Sequence, residues 1–215
     1  MTRPTLSPEV MATKIIETED QLDGTIIETM KNNDGSLDCK QWLKGADLHR
    51  IDGPAVIMYD RNGKGSIHKW YQNGKQHRVG GPADIHYDNR GEIVVEIWYQ
   101  DGDLHRVDGP AVIYNNWKFC ADREEWYQNG KQHRIDGPAA IYHNLDGKLA
   151  VKMWYIDDHK HRLDGPALIK YNNDGSILSE EWYLAGKDIT TGVNDLLGNE
   201  YEICTPEFKF ALEML

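Results

Sequence analysis

Hydrophobic positions in this chain come in short runs with a period of two, and a cluster of Gly, Asn or Asp closes each run. Residues 52–78 show the arrangement. Asp52-Gly53-Pro54 makes a tight corner, and residues 55–59 then alternate so that Ala55, Ile57 and Tyr59 share one face of a strand. Asp60-Arg61-Asn62-Gly63 turns the chain, with a glycine available for positive φ. Residues 66–71 make the return strand, and Asn73-Gly74 is a hairpin signal leading into His77-Arg78. The stretch reads as one β-hairpin plus a short linking turn.

The pattern returns at a fixed interval. The string His-Arg-x-Asp-Gly-Pro-Ala is complete at His49, His105, His133 and His161, and at His77 it carries Gly80 in place of Asp; successive copies start 28 residues apart. Its arginines are Arg50, Arg78, Arg106, Arg134 and Arg162, and its aspartates Asp52, Asp108, Asp136 and Asp164. A tryptophan stands seven residues before each copy, at Trp42, Trp70, Trp98, Trp126 and Trp154, and Trp182 keeps the interval with no His-Arg after it. Self-similarity at such a period, without insertion across five cycles, signals stacked repeats. The expected fold is all-β, an elongated solenoid of stacked antiparallel hairpins. Two strands per repeat at about 4.8 Å each place equivalent residues roughly 10 Å apart.

The ends depart from the pattern. Asn32-Asn33-Asp34-Gly35-Ser36 recurs 140 residues later as Asn172-Asn173-Asp174-Gly175-Ser176, so residues 25–30 take the place of a degenerate first repeat that caps the stack. Ile15-Ile16-Glu17-Thr18 before Asp23-Gly24 reads as a further strand, with a helix over residues 8–18 as the alternative. At the other end Ile189-Thr190 replaces His-Arg. Thr205-Pro206-Glu207, followed by Phe208, Ala211, Leu212 and Leu215, predicts a short helix over the last sheet edge. The organisation is a lead-in and cap over residues 1–24, repeats over 25–188 and a C-terminal cap with a short helix over 189–215.

The unit Trp-x-x-(Asn/Asp)-Gly-x-x-His-Arg-x-Asp-Gly-Pro-Ala resembles the MORN family of β-hairpin repeats over about residues 25–188. It is most similar to the MORN-variant repeats of bacterial, phage and giant-virus proteins, antitoxin-like ones among them. The resemblance implies a non-enzymatic scaffold for protein–protein interaction, with inhibition of a host or partner protein as one form of that role. Four departures stand out: Gly80, Asp158 in place of a turn glycine, Leu43 with a shifted Gly45, and Asn115-Asn116-Trp117-Lys118-Phe119-Cys120 where other turns end in Gly63, Gly91, Gly147 or Gly175.

Composition narrows the function. The net charge of -11 opposes sequence-independent nucleic-acid binding and docking on anionic lipid. No apolar run is long enough to span a membrane, and residues 1–10 lack the segments of a secretory signal. The three cysteines, Cys39, Cys120 and Cys204, fit reduced thiols in a cytoplasm, the host's if the protein is viral.

Several groups carry candidate chemistry. The His-Arg pairs could bind or switch, but residues present in every repeat usually serve stacking: Arg pairs with the nearby Asp and His bonds a turn carbonyl. Arg78 lacks that Asp, so it is paired elsewhere or open to a small anionic ligand such as a nucleotide. Histidines about 10 Å apart cannot share a metal, and no cofactor is expected. The tryptophan column reads as a structural ring ladder, with a sugar-stacking platform as the alternative, kept open by the polar residues His68, Glu96, Glu124, Lys152 and Glu180 beside it. Asn116, Trp117 and Phe119 break the repeat with large rings at a turn, which marks them as candidate anchors for a protein partner; a second copy of the chain is another occupant to consider. No unique acid–base or nucleophilic constellation emerges, so an enzyme is not expected.

Overall fold

The structure is a computed structural model, and it describes residues 14–115 and 121–198. The strands Ile15–Asp20, Thr25–Lys31, Leu37–Lys44, Val56–Tyr59, Gly65–Lys69, Asp84–Tyr87, Ile93–Ile97, Val112–Tyr114, Arg123–Glu125, Ala140–His143, Leu149–Met153, Leu168–Tyr171 and Ile177–Glu181 pair in that order into one long antiparallel sheet that does not close. The residues at 15–18 form a strand, paired along its length with Thr25–Lys31. A short helix, Thr190–Gly198, ends the described chain.

Three of the long turns among the described residues are each built by one side chain. Asp60 Oδ1 accepts the amides of Asn62 and Lys64, the Gly63 amide donates to the Asp60 carbonyl, and Asp88 and Asn144 do the same in their turns. Gly63 sits at φ 73° with nothing within 4 Å of where a Cβ would stand, so the glycine answers backbone conformation and not crowding.

The linking turn holds more structure than the pattern suggests. The return strand does not run through to residue 71. It stops at Lys69, and Tyr71–Gln72 pairs with Lys75–Gln76 in a second, two-residue hairpin outside the main sheet. The same small hairpin forms at Tyr99–Gln100, Tyr127–Gln128, Tyr155–Ile156 and Tyr183–Leu184. Tryptophan is the break. The Trp70 amide leaves its own strand's direction to donate to Ala83 O at 2.8 Å, while its carbonyl accepts the His77 amide at 3.1 Å. Asn73, at φ 49°, and Gly74, at φ 76°, make the left-handed pair that a two-residue hairpin turn demands.

The two sheet faces differ. On one, Val56, Lys69, Asp84, Ile97, Val112, Glu125, Ala140, Met153, Leu168 and Glu181 are successive cross-strand partners. Tyrosines of the small hairpins reach this row: Tyr127 and Tyr183 donate to Glu125 and Glu181, and Tyr155 reaches Met153 Sδ. On the other face Ile57, Ile85, Ile113, Ile141 and Ile169 alternate with His68, Glu96, Glu124, Lys152 and Glu180, so an apolar side chain stands between each polar pair. Ala55, Ala83, Ala111, Ala139 and Ala167, the alanines that follow each Gly-Pro, are fully buried.

The row holds two buried carboxylates. Asp84 lies 3.0 Å from Lys69 Nζ and 3.1 Å from His86 Nε2. Burial works to raise its pKa, but the His86 hydrogen bond and the Lys69 charge outweigh burial and hold it below the ordinary value. Glu125 accepts the hydroxyls of Tyr127 and Tyr142. Burial first, then that carboxylate, pushes the Tyr142 phenol up to about 12.

After the last strand of the sheet, partners are substituted. Trp182 has no following Gly-Pro-Ala carbonyl, and its amide donates instead to Thr190 Oγ1 at 2.9 Å. Asp188 Oδ1 caps the helix by accepting the Thr190 amide at 2.9 Å. Ile189 and Val193 then bury against Trp182. This helix lies N-terminal to the one the sequence predicts from Thr205, which falls outside the described residues.

Candidate binding surface

The His-Arg-x-Asp-Gly-Pro-Ala string folds into a corner with one geometry. Arg106 shows it. Its guanidinium carbon stands 3.9 Å from the Trp98 ring centroid, Nε donates to Asp108 Oδ1 at 3.0 Å, and Nη1 donates to the Pro110 carbonyl at 3.2 Å. Arg50, Arg134 and Arg162 repeat all three contacts on Trp42, Trp126 and Trp154 and on Asp52, Asp136 and Asp164. The other side of the plane is closed by the corner glycine. A Cβ on Gly109 would lie 2.9 Å from Arg106 Cζ, and Gly53, Gly137 and Gly165 stand equally close to their arginines. The guanidinium is thus layered between an indole and a bare Cα, which is why Gly precedes Pro here without needing positive φ.

Electrostatics follow the geometry. The carboxyls of Asp52, Asp108 and Asp136 are held below the ordinary range by the Arg hydrogen bond first and its charge second. All are solvent-exposed, so each pair contributes little to stability by itself.

The histidines join one repeat to the next. His49 Nδ1 accepts the amide of Asn73, the left-handed residue of the following small hairpin, at 3.1 Å; His77, His105 and His161 accept the amides of Asp101, Asn129 and Ala185 in the same way. His133 Nδ1 meets Asp157 Oδ1 at 3.0 Å. The partner of His is therefore a turn amide or turn side chain, and not the turn carbonyl the sequence suggests. The adjacent Arg amides complete the joint by donating to Tyr71, Tyr99, Tyr127, Tyr155 and Tyr183 carbonyls. Asp158, the departure from glycine in the fifth turn, stands at φ 68° and its carboxylate accepts the Gln132 amide at 2.7 Å, a contact glycine could not make.

With Trp, His and Arg engaged in this way, the corners expose something else. The variable residue after the corner Arg is aliphatic in all five copies, and it points outward: Ile51 is 80 %, Val79 85 %, Val107 76 %, Ile135 86 % and Leu163 43 % exposed. Neighbouring corners frame open grooves, one lined by Ile135, Asp136, Trp154, Ile156, Leu163 and Asp164. The sequence held the signal for this column, because a position that is always Ile, Val or Leu yet follows Arg at a tight corner cannot be filling a core.

Arg78 keeps the layered geometry, 4.0 Å from the Trp70 centroid and with Nη1 donating to Pro82 O at 3.1 Å. Among the described residues no carboxylate pairs with it. Asn116, Trp117 and Phe119 lie outside the described residues. Among those described, no three His, Cys, Asp or Glu side chains converge, and no helix is long and apolar enough to cross a membrane. Comparison with family models, with curated proteins and with solved structures found no match.

Proposed function

We propose that this chain is a MORN-type β-hairpin solenoid of 28-residue period that works as a non-enzymatic scaffold, binding a partner protein along its corner column. The observation that carries the reading is the row of exposed aliphatic residues at Ile51, Val79, Val107, Ile135 and Leu163. A largely exposed apolar side chain repeated at every corner costs solubility and contributes little to stacking, whereas apolar groups set among charged ones suit a protein interface.

Charge selects the occupant. The carboxylates of Asp52, Asp108, Asp136 and Asp164 are paired with their corner arginines, but the molecule as a whole carries a net charge of -11, so a partner with apolar side chains among Lys and Arg is complementary. A second copy would bring like charges together, and a phosphate backbone or an anionic bilayer would be repelled. Blocking a target protein, as antitoxin-like proteins do, is a use to which such a surface lends itself.

The test is capture of a partner by the intact chain, followed by the double variant Val107→Asp, Ile135→Asp. Both positions are exposed, so the thermal midpoint should stay within about 2 °C of the parent. Affinity for the partner should fall at least about tenfold, the loss of one or two modest anchors. Unchanged affinity in a folded double variant overturns the reading.

A further inference from the structure

The second corner is built like the other four except for one missing group. At Arg50, Arg106, Arg134 and Arg162 the Nε–H donates to an aspartate Oδ1 at 2.8 to 3.0 Å. At Arg78 the guanidinium is held by the same indole and the same proline carbonyl, and Gly81 lies against it as the corner glycines do elsewhere, with a Cβ reaching Cζ at 3.1 Å. Gly80 replaces the aspartate. Nothing stands within 4 Å of where its Cβ would be, and its φ of 76° turns the chain in a way the aspartates at the other corners do not. At four corners an aspartate oxygen meets the Nε–H; at the second no carboxylate among the described residues does, while the donor stays oriented by the indole and the proline carbonyl.

We propose that Arg78 is a carboxylate-binding position, in which the Nε–H takes an external carboxylate where the other corners place their own aspartate. Two observations raise it above an ordinary surface arginine. Its plane is fixed on both sides, so little side-chain entropy is lost on binding. Val79 beside it is the most exposed valine of the column, offering an apolar contact next to the charged one. On the scaffold reading, on which this identification of the ligand's source rests, the carboxylate is an Asp or Glu side chain of the partner; the second corner then presents a cation without a carboxylate among corners whose arginines are already ion-paired, and so fixes the register in which the partner lies.

The test reads the arginine Nε–Hε resonances of the intact chain by two-dimensional NMR during titration with sodium acetate, inorganic phosphate and the blocked tripeptide Leu-Asp-Leu. The Arg78 resonance should respond at a concentration at least about threefold lower than those of Arg50, Arg106, Arg134 and Arg162. Gly80→Asp should abolish the response, while Gly80→Asn, which shares the backbone strain but not the charge, should keep it. Asp108→Gly should open a second site, giving Arg106 the behaviour of Arg78. Tighter binding of the tripeptide than of acetate assigns the site to a partner side chain; equal binding assigns it to free small carboxylates. An Arg78 response no stronger than the others, an unaffected response in Gly80→Asp, or phosphate binding more than about tenfold tighter than acetate overturns the proposal. Because the titration needs no partner, its failure leaves the scaffold reading standing, and failure to capture a partner leaves the carboxylate position standing.

Discussion

Gly109→Ala separates two accounts of the corner by the sign of its effect. Gly109 does not occupy the left-handed region, so on backbone grounds alone alanine should stabilise the chain by about 0.4–1 kcal/mol through the unfolded state. The structure demands the reverse. The new Cβ would stand 2.9 Å from Arg106 Cζ and 3.0 Å from its Nε, closer than carbon tolerates, and the guanidinium would have to leave. Leaving forfeits the contact on the Trp98 ring, worth about 0.5–1 kcal/mol at a half-exposed position, and the bond to the Pro110 carbonyl, worth about 1 kcal/mol. The exposed Asp108 pair adds little. Net of the backbone gain, a loss of about 1 kcal/mol is expected, or a thermal midpoint lower by about 2–4 °C for a chain of this size. Urea denaturation followed by tryptophan emission reads it. In an Arg106→Ala background the same substitution should be neutral or stabilising. Stabilisation in the parent background would refute the layered corner.

Other parts of the account are equally exposed to measurement. Thr190→Val removes the acceptor of the buried Trp182 amide and should cost about 1–2 kcal/mol, with faster hydrogen exchange at Trp182; Thr190→Ser should restore both. Asp84→Ala leaves the Lys69 charge half-buried without its partner and should cost about 3 kcal/mol in denaturant unfolding, whereas replacing Lys69, Asp84 and His86 together with apolar residues should recover most of it. The corner aspartates whose folded pKa is depressed contribute stability that is present above the unfolded carboxylate value and lost as pH falls through the folded one; the urea midpoint should therefore decline below about pH 4, and less steeply in Asp52→Asn, Asp108→Asn, Asp136→Asn.

The strands and their turns were legible because both rest on local chemistry: β-branched alternation, an Asp or Asn that folds its own turn, and glycine where φ is positive. The small hairpins were less so. Their existence depends on where the Trp70 amide goes, and its acceptor, Ala83 O, lies in the next repeat. The role of His49 was hidden for the same reason, since its partner Asn73 is 24 residues away. Helix Thr190–Gly198 carries two threonines and, at Gly192, an interior glycine, all of which disfavour helix in isolation, and packing of Val193 and Ile189 on Trp182 overrides that preference. Asp84 could have been noticed as an acid standing where Val56, Val112, Ala140 and Leu168 stand in other repeats. Of the candidate binding residues, Arg78 is marked in the sequence by its missing aspartate, while the aliphatic column is hidden there because apolar residues in a repeat ordinarily fill a core.

Hydrogen exchange of the chain alone and with its captured partner tests the central claim most directly. The account predicts protection at the corners around Ile51, Val79, Val107, Ile135 and Leu163, and unchanged exchange at the long turns around Gly63, Gly91 and Gly147. Protection confined to those long turns, with the corners exchanging as in the free chain, would contradict it.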